Sequence, residues 1–342
     1  MVLVLSFLFL VIGALALIPL RINNGYKLIF ITIGVILFLI AAFRVIGVDR
    51  DYLNYVKFFN DYKNLTIFKV EPSFIFVSYL VKRYLFNKVI FVFVIYALLA
   101  VSLKLYAIKQ LSEFWLLSLL VYFSYSFILQ DMTQIRAGVA VAFLLLSIKP
   151  LYERNLSLFL LFASMASLFH YSAIIIFPLW FLNPKNINSS LYMSFIFITF
   201  VLSRLNINFS NIIELMPIDI IHNKFLAYKY QQGGVLNVLN AWQLMRCFLS
   251  FLFLWKADEI TQINKYGFLL IKIYVSSTCA LFLFSDLPVF AYRISDMFAI
   301  VDIITLPFLL YFVKPKFLAR GLVIFISFTY FFLNLFFNKI II

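Results

Sequence analysis

Two arginines and a histidine lie inside or against long apolar runs. Arg136 stands in Gln134-Ile135-Arg136 just ahead of such a run, with Asp131 upstream and Gly138 downstream. Arg293 stands in Tyr292-Arg293-Ile294-Ser295-Asp296, between Pro288 and another apolar run. His170 interrupts the apolar stretch 156–182 near its middle. Ionisable groups at membrane depth carry a free-energy penalty and mark functional positions by default. A guanidinium fork matches phosphate oxygens in two-point geometry, so two arginines at the ends of different spans form a clamp for a pyrophosphate. An imidazole, whose ordinary pKa is about 6.5, suits proton removal at neutral pH. Each residue also has a plainer reading. Arg136 is then a boundary arginine snorkelling to headgroups, Arg293 an interfacial arginine paired with Asp296, and His170 a satisfied packing residue.

A fourth feature is the loop Gly47-Val48-Asp49-Arg50-Asp51-Tyr52-Leu53-Asn54-Tyr55, dense in acids, amides and phenols. Carboxylates and amides exchange hydrogen bonds with sugar hydroxyls, and aromatic faces lie beneath sugar rings. The plainer reading is a solvated loop with a tyrosine belt. Glu71-Pro72-Ser73 reads locally as a helix start with proline in the first turn. No Gly-rich phosphate loop, His-Glu-x-x-His zinc motif or nucleophile elbow is present. Two cysteines and two histidines build neither a disulfide framework nor a metal cluster, so neither metal nor cofactor is expected. With no segment suited to a cytoplasmic nucleotide-binding domain, any transfer reaction must use a lipid-carried donor.

The elements that position these residues are membrane spans. Of 342 residues, 65% are hydrophobic and only 12% charged, with a mean hydropathy of +1.05. Soluble domains have about 25% charged residues, so a soluble enzyme and a disordered chain are excluded. Runs that are apolar on every face also exclude a β-barrel. The net charge of +14 reads as a topology signal rather than a nucleic-acid footprint. Apolar runs fall at 2–20, 28–43, 89–108, 114–129, 132–148, 156–182, 191–205, 239–255, 267–287, 294–313 and 321–337. The run 2–20 has its bases, Arg21 and Lys27, after it, and reads as a first span rather than a cleaved leader.

Taken as one span, 156–182 puts Lys256, Lys265, Lys314, Lys316 and Arg320 outside, against the positive-inside rule. Broken near His170, it puts them inside with Lys104, Lys109, Lys149, Arg154 and Lys185. The 44–71 stretch, Arg136, His170 and Arg293 then share the outer face. The expected fold is an all-α polytopic integral membrane protein with about 11–12 transmembrane segments. Residues 1–342 form a single transmembrane domain, in which 44–88 supply an outer loop plus an interfacial or re-entrant helix and 206–238 a second outer loop.

The pieces from Gly47 to Tyr55, Glu71-Pro72-Ser73-Phe74, Gln134-Ile135-Arg136-Ala137-Gly138-Val139-Ala140 and Ala166-Ser167-Leu168-Phe169-His170-Tyr171-Ser172-Ala173 resemble the EpsG-like family of Wzy-type O-antigen and exopolysaccharide polymerases. The resemblance runs from about Arg44 to Leu182, with Arg293 a looser match. The family often opens its loop with Gly-Thr-Asp-Tyr, and here either Asp49 or Asp51 answers to its aspartate. The resemblance implies a lipid-donor, GT-C-like glycosyltransferase of the bacterial inner membrane. It would join undecaprenyl-pyrophosphate-linked oligosaccharide repeat units at the outer face, as in lipopolysaccharide biosynthesis. It implies Arg136 and Arg293 on pyrophosphate and His170 as base, with Asp49, Arg50, Asp51, Tyr52, Tyr55, Glu71 and Gln134 around the sugars. Its partners would be the lipid-linked oligosaccharides, membrane lipids and a chain-length regulator, without nucleic acid. A flippase predicts repeats and a polar path through both leaflets. An O-antigen ligase shares the donor chemistry and differs in acceptor, and a membrane scaffold leaves His170 and Arg136 unexplained.

Overall fold

Hydrocarbon offers no hydrogen-bond partners, so a chain this apolar satisfies its backbone within helices. The computed structural model describes residues 1–19, 23–67, 69–205 and 236–341. Arg21, His222 and nearly all of the expected 206–238 loop lie outside the described residues. Among the described residues the chain is helical, apart from one isolated bridge between Asp49 and Ile341. Asparagine supplies the helix starts: Asn23, Asn155, Asn188 and Asn240 each accept a backbone N–H three residues on, at 2.8, 3.1, 3.1 and 2.9 Å. That side-chain acceptor relieves one of the orphan donors at each N-terminus.

The chain divides into two units. The first, Met1–Phe177 with Asp302–Ile342, carries α1 (Val2–Leu17), α2 (Asn24–Ala42), α3 (Tyr52–Asn60), α4 (Pro72–Tyr84), α5 (Ile90–Leu111), α6 (Trp115–Tyr122), α7 (Ile135–Tyr152) and α8 (Leu156–Phe169). Between α6 and α7 the helix widens into π-type turns over Phe123–Asp131, a device frequent at functional sites. Helix α7 is the buried centre, packed on α5, α8 and the π segment. The second unit, Pro178–Val301, contains α9 (Ser189–Arg204), α10 (Ala241–Trp255), α11 (Ala257–Ile263), α12 (Gly267–Leu283) and α13 (Pro288–Ala299). Its α12 packs against α9, α10 and α13. Buried Arg246 donates to Ser277 Oγ and Ser295 Oγ, both at 2.8 Å.

Four described helices are long and apolar enough to cross a membrane: Asn24–Ala42, Ile90–Leu111, Ile135–Tyr152 and Lys316–Phe337. A fifth span arises if Pro288–Ala299 and Asp302–Phe312 count as one. Other apolar helices are shorter, including Val2–Leu17 and Leu156–Phe169, against the roughly 20 residues a straight span needs. The run expected at 294–313 is therefore two pieces, beginning at Pro288. The expected break in 156–182 is present: α8 stops at Phe169, His170 is extended, and a 3-10 coil follows over Tyr171–Phe181.

The segment after Tyr52, expected as loop, is helix α3. Tyr52, Tyr55 and Phe59 recur at helical spacing, and all three are buried. The short helix expected within 73–86 is α4, opened by Pro72 and closed by Lys82 and Arg83 in its last turn, where the helix dipole favours cations.

A carboxylate between an arginine and a histidine

The backbone break at His170 aims its ring. His170 takes extended angles (φ −152°, ψ 120°), and its N–H closes α8 on Ala166 O at 2.9 Å. Its Nδ1 then lies 3.1 Å from Glu71 Oε1. Glu71 is also extended, as the residue before a proline tends to be, and its side chain makes no cap for α4. The other carboxylate oxygen, Oε2, accepts a charge-assisted hydrogen bond from an Nη of Arg136 on the first turn of α7. One carboxylate thus joins three chain segments far apart in sequence.

Aromatic side chains wall this cluster. The Arg136 guanidinium carbon lies 5.7 Å from the Tyr55 ring centre. Tyr96 shares a 3.1 Å hydrogen bond with Ser73 and meets Phe169 edge-on at 5.6 Å. Tyr171 donates to Ile67 O at 2.6 Å. The side chains of Arg136, His170 and Glu71 remain 21%, 15% and 5% exposed, so the cluster is not fully sealed. Burial pushes the Glu71 carboxyl up, but the His170 hydrogen bond and the charge of Arg136 outweigh it and hold its pKa at about 2. Burial pushes the Tyr55 phenol up to about 12, so it stays a neutral hydroxyl.

Behind this open cluster lies a sealed one. Lys104 and Asp131 form an ion pair with both side chains fully buried, and Tyr122 donates to the second Asp131 oxygen. Lys104, expected among the cytoplasmic charges, is therefore no topology signal. Gly138 makes room for this pair, because a Cβ there would collide with Asp131 Oδ1. Arg44, also buried, donates to the carbonyl of Met132 and pairs with Asp49 at 3.7 Å. Its guanidinium lies 4.1 Å from the Phe93 ring centre. Burial lowers the Arg44 pKa and raises that of Asp49, and their mutual charges oppose both shifts. Together these contacts pin the turn from Asp131 to Gln134 that delivers Arg136.

The expected site residues sort accordingly. Arg136, His170, Glu71 and Tyr55 come together. Asp49 and Tyr52 are buried in the supporting layer, Asp49 on Arg44 and Tyr52 stacked on Phe93 at 4.8 Å. Asp51 is half-buried, with its N–H donated to Asp49 Oδ1 at 2.9 Å. Arg50 is exposed and donates to Asn338 O, and Gln134 is exposed at the start of α7. Arg293 stands exposed on α13 in the second unit. Sequence reasoning missed Arg44, Tyr96 and Tyr122, and read Lys104 for topology alone. A lysine in the interior of an apolar run was the available signal for Lys104. Among the described residues no three His, Cys, Asp or Glu side chains gather as metal ligands.

Comparison with known proteins extends the resemblance beyond the site. The EpsG family model matches residues 27–341, covering both units. The amylovoran biosynthesis protein AmsC of Erwinia amylovora is 30% identical over 170 residues, 46% of this chain and 45% of that protein. The match thus spans about half the length of this curated relative. No solved structure matches the chain. With the family model covering nearly its whole length and several helices apolar enough to span a bilayer, the chain is a multi-pass membrane protein that belongs to the EpsG family.

Proposed function

We propose that this protein is a polysaccharide polymerase, a lipid-donor glycosyltransferase acting in exopolysaccharide or O-antigen biosynthesis. It joins oligosaccharide repeat units carried on undecaprenyl pyrophosphate at the outer face of the bacterial inner membrane. The remaining apolar helices complete about 11–12 crossings in a GT-C-like arrangement, and a chain-length regulator acts beside it. The observation that supports this reading is the Arg136–Glu71–His170 cluster, where a cation for an anionic leaving group and a base for a hydroxyl share one carboxylate.

With Nδ1–H donated to Glu71, the neutral His170 ring keeps its lone pair on Nε2. Nε2 takes the proton from an acceptor sugar hydroxyl. That oxygen bonds to the anomeric carbon of the donor, and the bond from this carbon to the pyrophosphate oxygen breaks. Arg136 retains N–H donors beyond the one given to Glu71, and they meet the charge growing on the departing lipid pyrophosphate. Tyr55 and Gln134 line the sugar path, Arg50 and Asp51 extend it, and Asp49 and Tyr52 shape it from behind. The name of the amylovoran relative supports the substrate class.

The test is reconstitution of the purified protein with lipid-linked repeat units and a readout of product length. Arg136→Ala should leave single repeat units at normal protein level. Arg136→Lys should rescue poorly, because a point charge lacks the two-point fork. A wild-type ladder from Arg136→Ala would overturn the reading. Movement of unpolymerised units across the membrane by the purified wild type would support a flippase instead.

A further inference from the structure

Away from the cluster, α2 and α5 leave an apolar groove of about 310 Å³ on their outer side. Its walls are Phe30, Val35 and Phe38 from α2 and Leu98, Val101 and Leu105 from α5. The groove has a floor because Gly34 lets Leu105 sink against α2; a Cβ at Gly34 would collide with Leu105 Cδ1. The helices run antiparallel, so Lys27 near the start of α2 and Lys109 near the end of α5 line the same end. Both lysines are exposed. Trp115 lines that end too, 5.4 Å from Phe30, and Tyr26 fixes it by accepting the Leu116 N–H at 3.0 Å.

The dimensions match one lipid leaflet. From Lys27 to Phe38 the helix rises about 16 Å, half of a hydrocarbon core of roughly 30 Å. The lysine end lies remote from the cluster, since Lys109 is about 20 Å along α5 from Tyr96. Two cations at one end of an apolar slot about one leaflet deep are the features that select an anionic lipid. We propose that this groove is a binding site for an anionic phospholipid of the leaflet opposite the Arg136 cluster. Its phosphate lies between Lys27 and Lys109, and one acyl chain runs down to Phe38 and Leu98. The site is independent of the polymerase reading.

The experiment measures lipid retained on the intact purified protein by native mass spectrometry, after exchange from nanodiscs of phosphatidylcholine with or without phosphatidylglycerol. Wild type should retain phosphatidylglycerol selectively, and added salt should weaken retention. Lys27→Ala with Lys109→Ala should weaken it roughly 30-fold, as two lysines at a membrane surface allow. Ser102→Phe, which fills the groove from α5 and leaves both lysines, should expel the chain. Retention unchanged in the double lysine variant would overturn the proposal, as would equal retention of phosphatidylcholine. Displacement of phosphatidylglycerol by equimolar polyprenyl phosphate would overturn the choice of occupant. Unfolding midpoints equal to wild type would show that the variants are intact, and Lys27→Arg with Lys109→Arg, which keeps both charges, should restore selective retention.

Discussion

Two ionic clusters flank the start of α7, and they differ in their access to water. Lys104 and Asp131 are fully buried and bonded to each other, with Tyr122 taking the second carboxylate oxygen. Arg136, Glu71 and His170 are built from the same kinds of group, yet Arg136 and His170 keep part of their surface open. A sealed pair whose partners are all protein groups holds structure. An open pair with donors to spare can exchange one anion for another. The comparison separates scaffold from site without reference to residue type, since Lys–Asp and Arg–Glu pairs look alike in a sequence.

The largest expected effect falls on the open cluster. A general base contributes about 10²–10⁴-fold, so His170→Ala and His170→Gln should both slow polymerisation by that range in a normally inserted protein. Glutamine keeps the polarity and part of the shape of histidine but cannot accept the proton. Wild-type chain lengths from His170→Gln in a purified assay would make His170 a packing residue.

The sealed pair should answer in stability instead. Lys104→Met leaves the Asp131 carboxylate buried without its cation, a lesion that costs about 3–5 kcal/mol. Adding Asp131→Asn removes the stranded charge while keeping an acceptor for Tyr122, and should recover most of the loss. Denaturant midpoints in detergent would read both variants. If the single and double variants unfold alike, the pair is not the staple described here. Arg136→Ala should cost less stability than Lys104→Met, because Glu71 keeps His170 and some water.

A smaller loss is expected at the contact between the clusters. Gly138→Ala places a methyl against Asp131 Oδ1, and overpacking of this kind costs typically about 1–3 kcal/mol. The conflict lies two residues from Arg136, so the variant should also weaken binding of the donor more than it slows turnover. An unchanged apparent affinity with a reduced midpoint would confine Gly138 to packing.

The open cluster was largely legible in the sequence, and its support was not. His170 and Arg136 announced themselves as polar residues against apolar runs, and the broken helix followed from counting charges on loops. Glu71 was visible only as a helix start with a place near the sugars. Nothing local shows that a carboxylate before a proline reaches residues 65 and 99 positions away. Tyr52, Tyr55 and Phe59 carried a helical period that the acids around them obscured. Lys104 misled because charge counting treats every lysine as a loop residue, and pairing across 27 positions is a tertiary fact. Hydropathy also continues through the backbone break at residues 300–301, which a count of apolar residues does not register.

The smallest effect is a dependence on pH, and it isolates Glu71. Its carboxyl is held at about 2 in the folded protein against an ordinary 4.5. A lowered folded pKa means that the carboxylate stabilises the fold fully above pH 4.5, and that this contribution is lost as pH falls from there toward 2. The contribution of the Glu71 carboxylate to the difference in unfolding free energy between wild type and Glu71→Gln should therefore shrink as pH falls below 4.5. Activity should also fall in acid, because a protonated His170 accepts no proton. The carboxylate favours the imidazolium, so Glu71→Gln should move the acid limb of the rate profile to lower pH while lowering its plateau. Arg136, Tyr96 and Tyr171 also face Glu71, and with the carboxylate gone the Arg136 charge pushes the limb in the same direction. An acid limb that stays in place in Glu71→Gln would mean that Glu71 serves Arg136 alone, and that the base is oriented by another group.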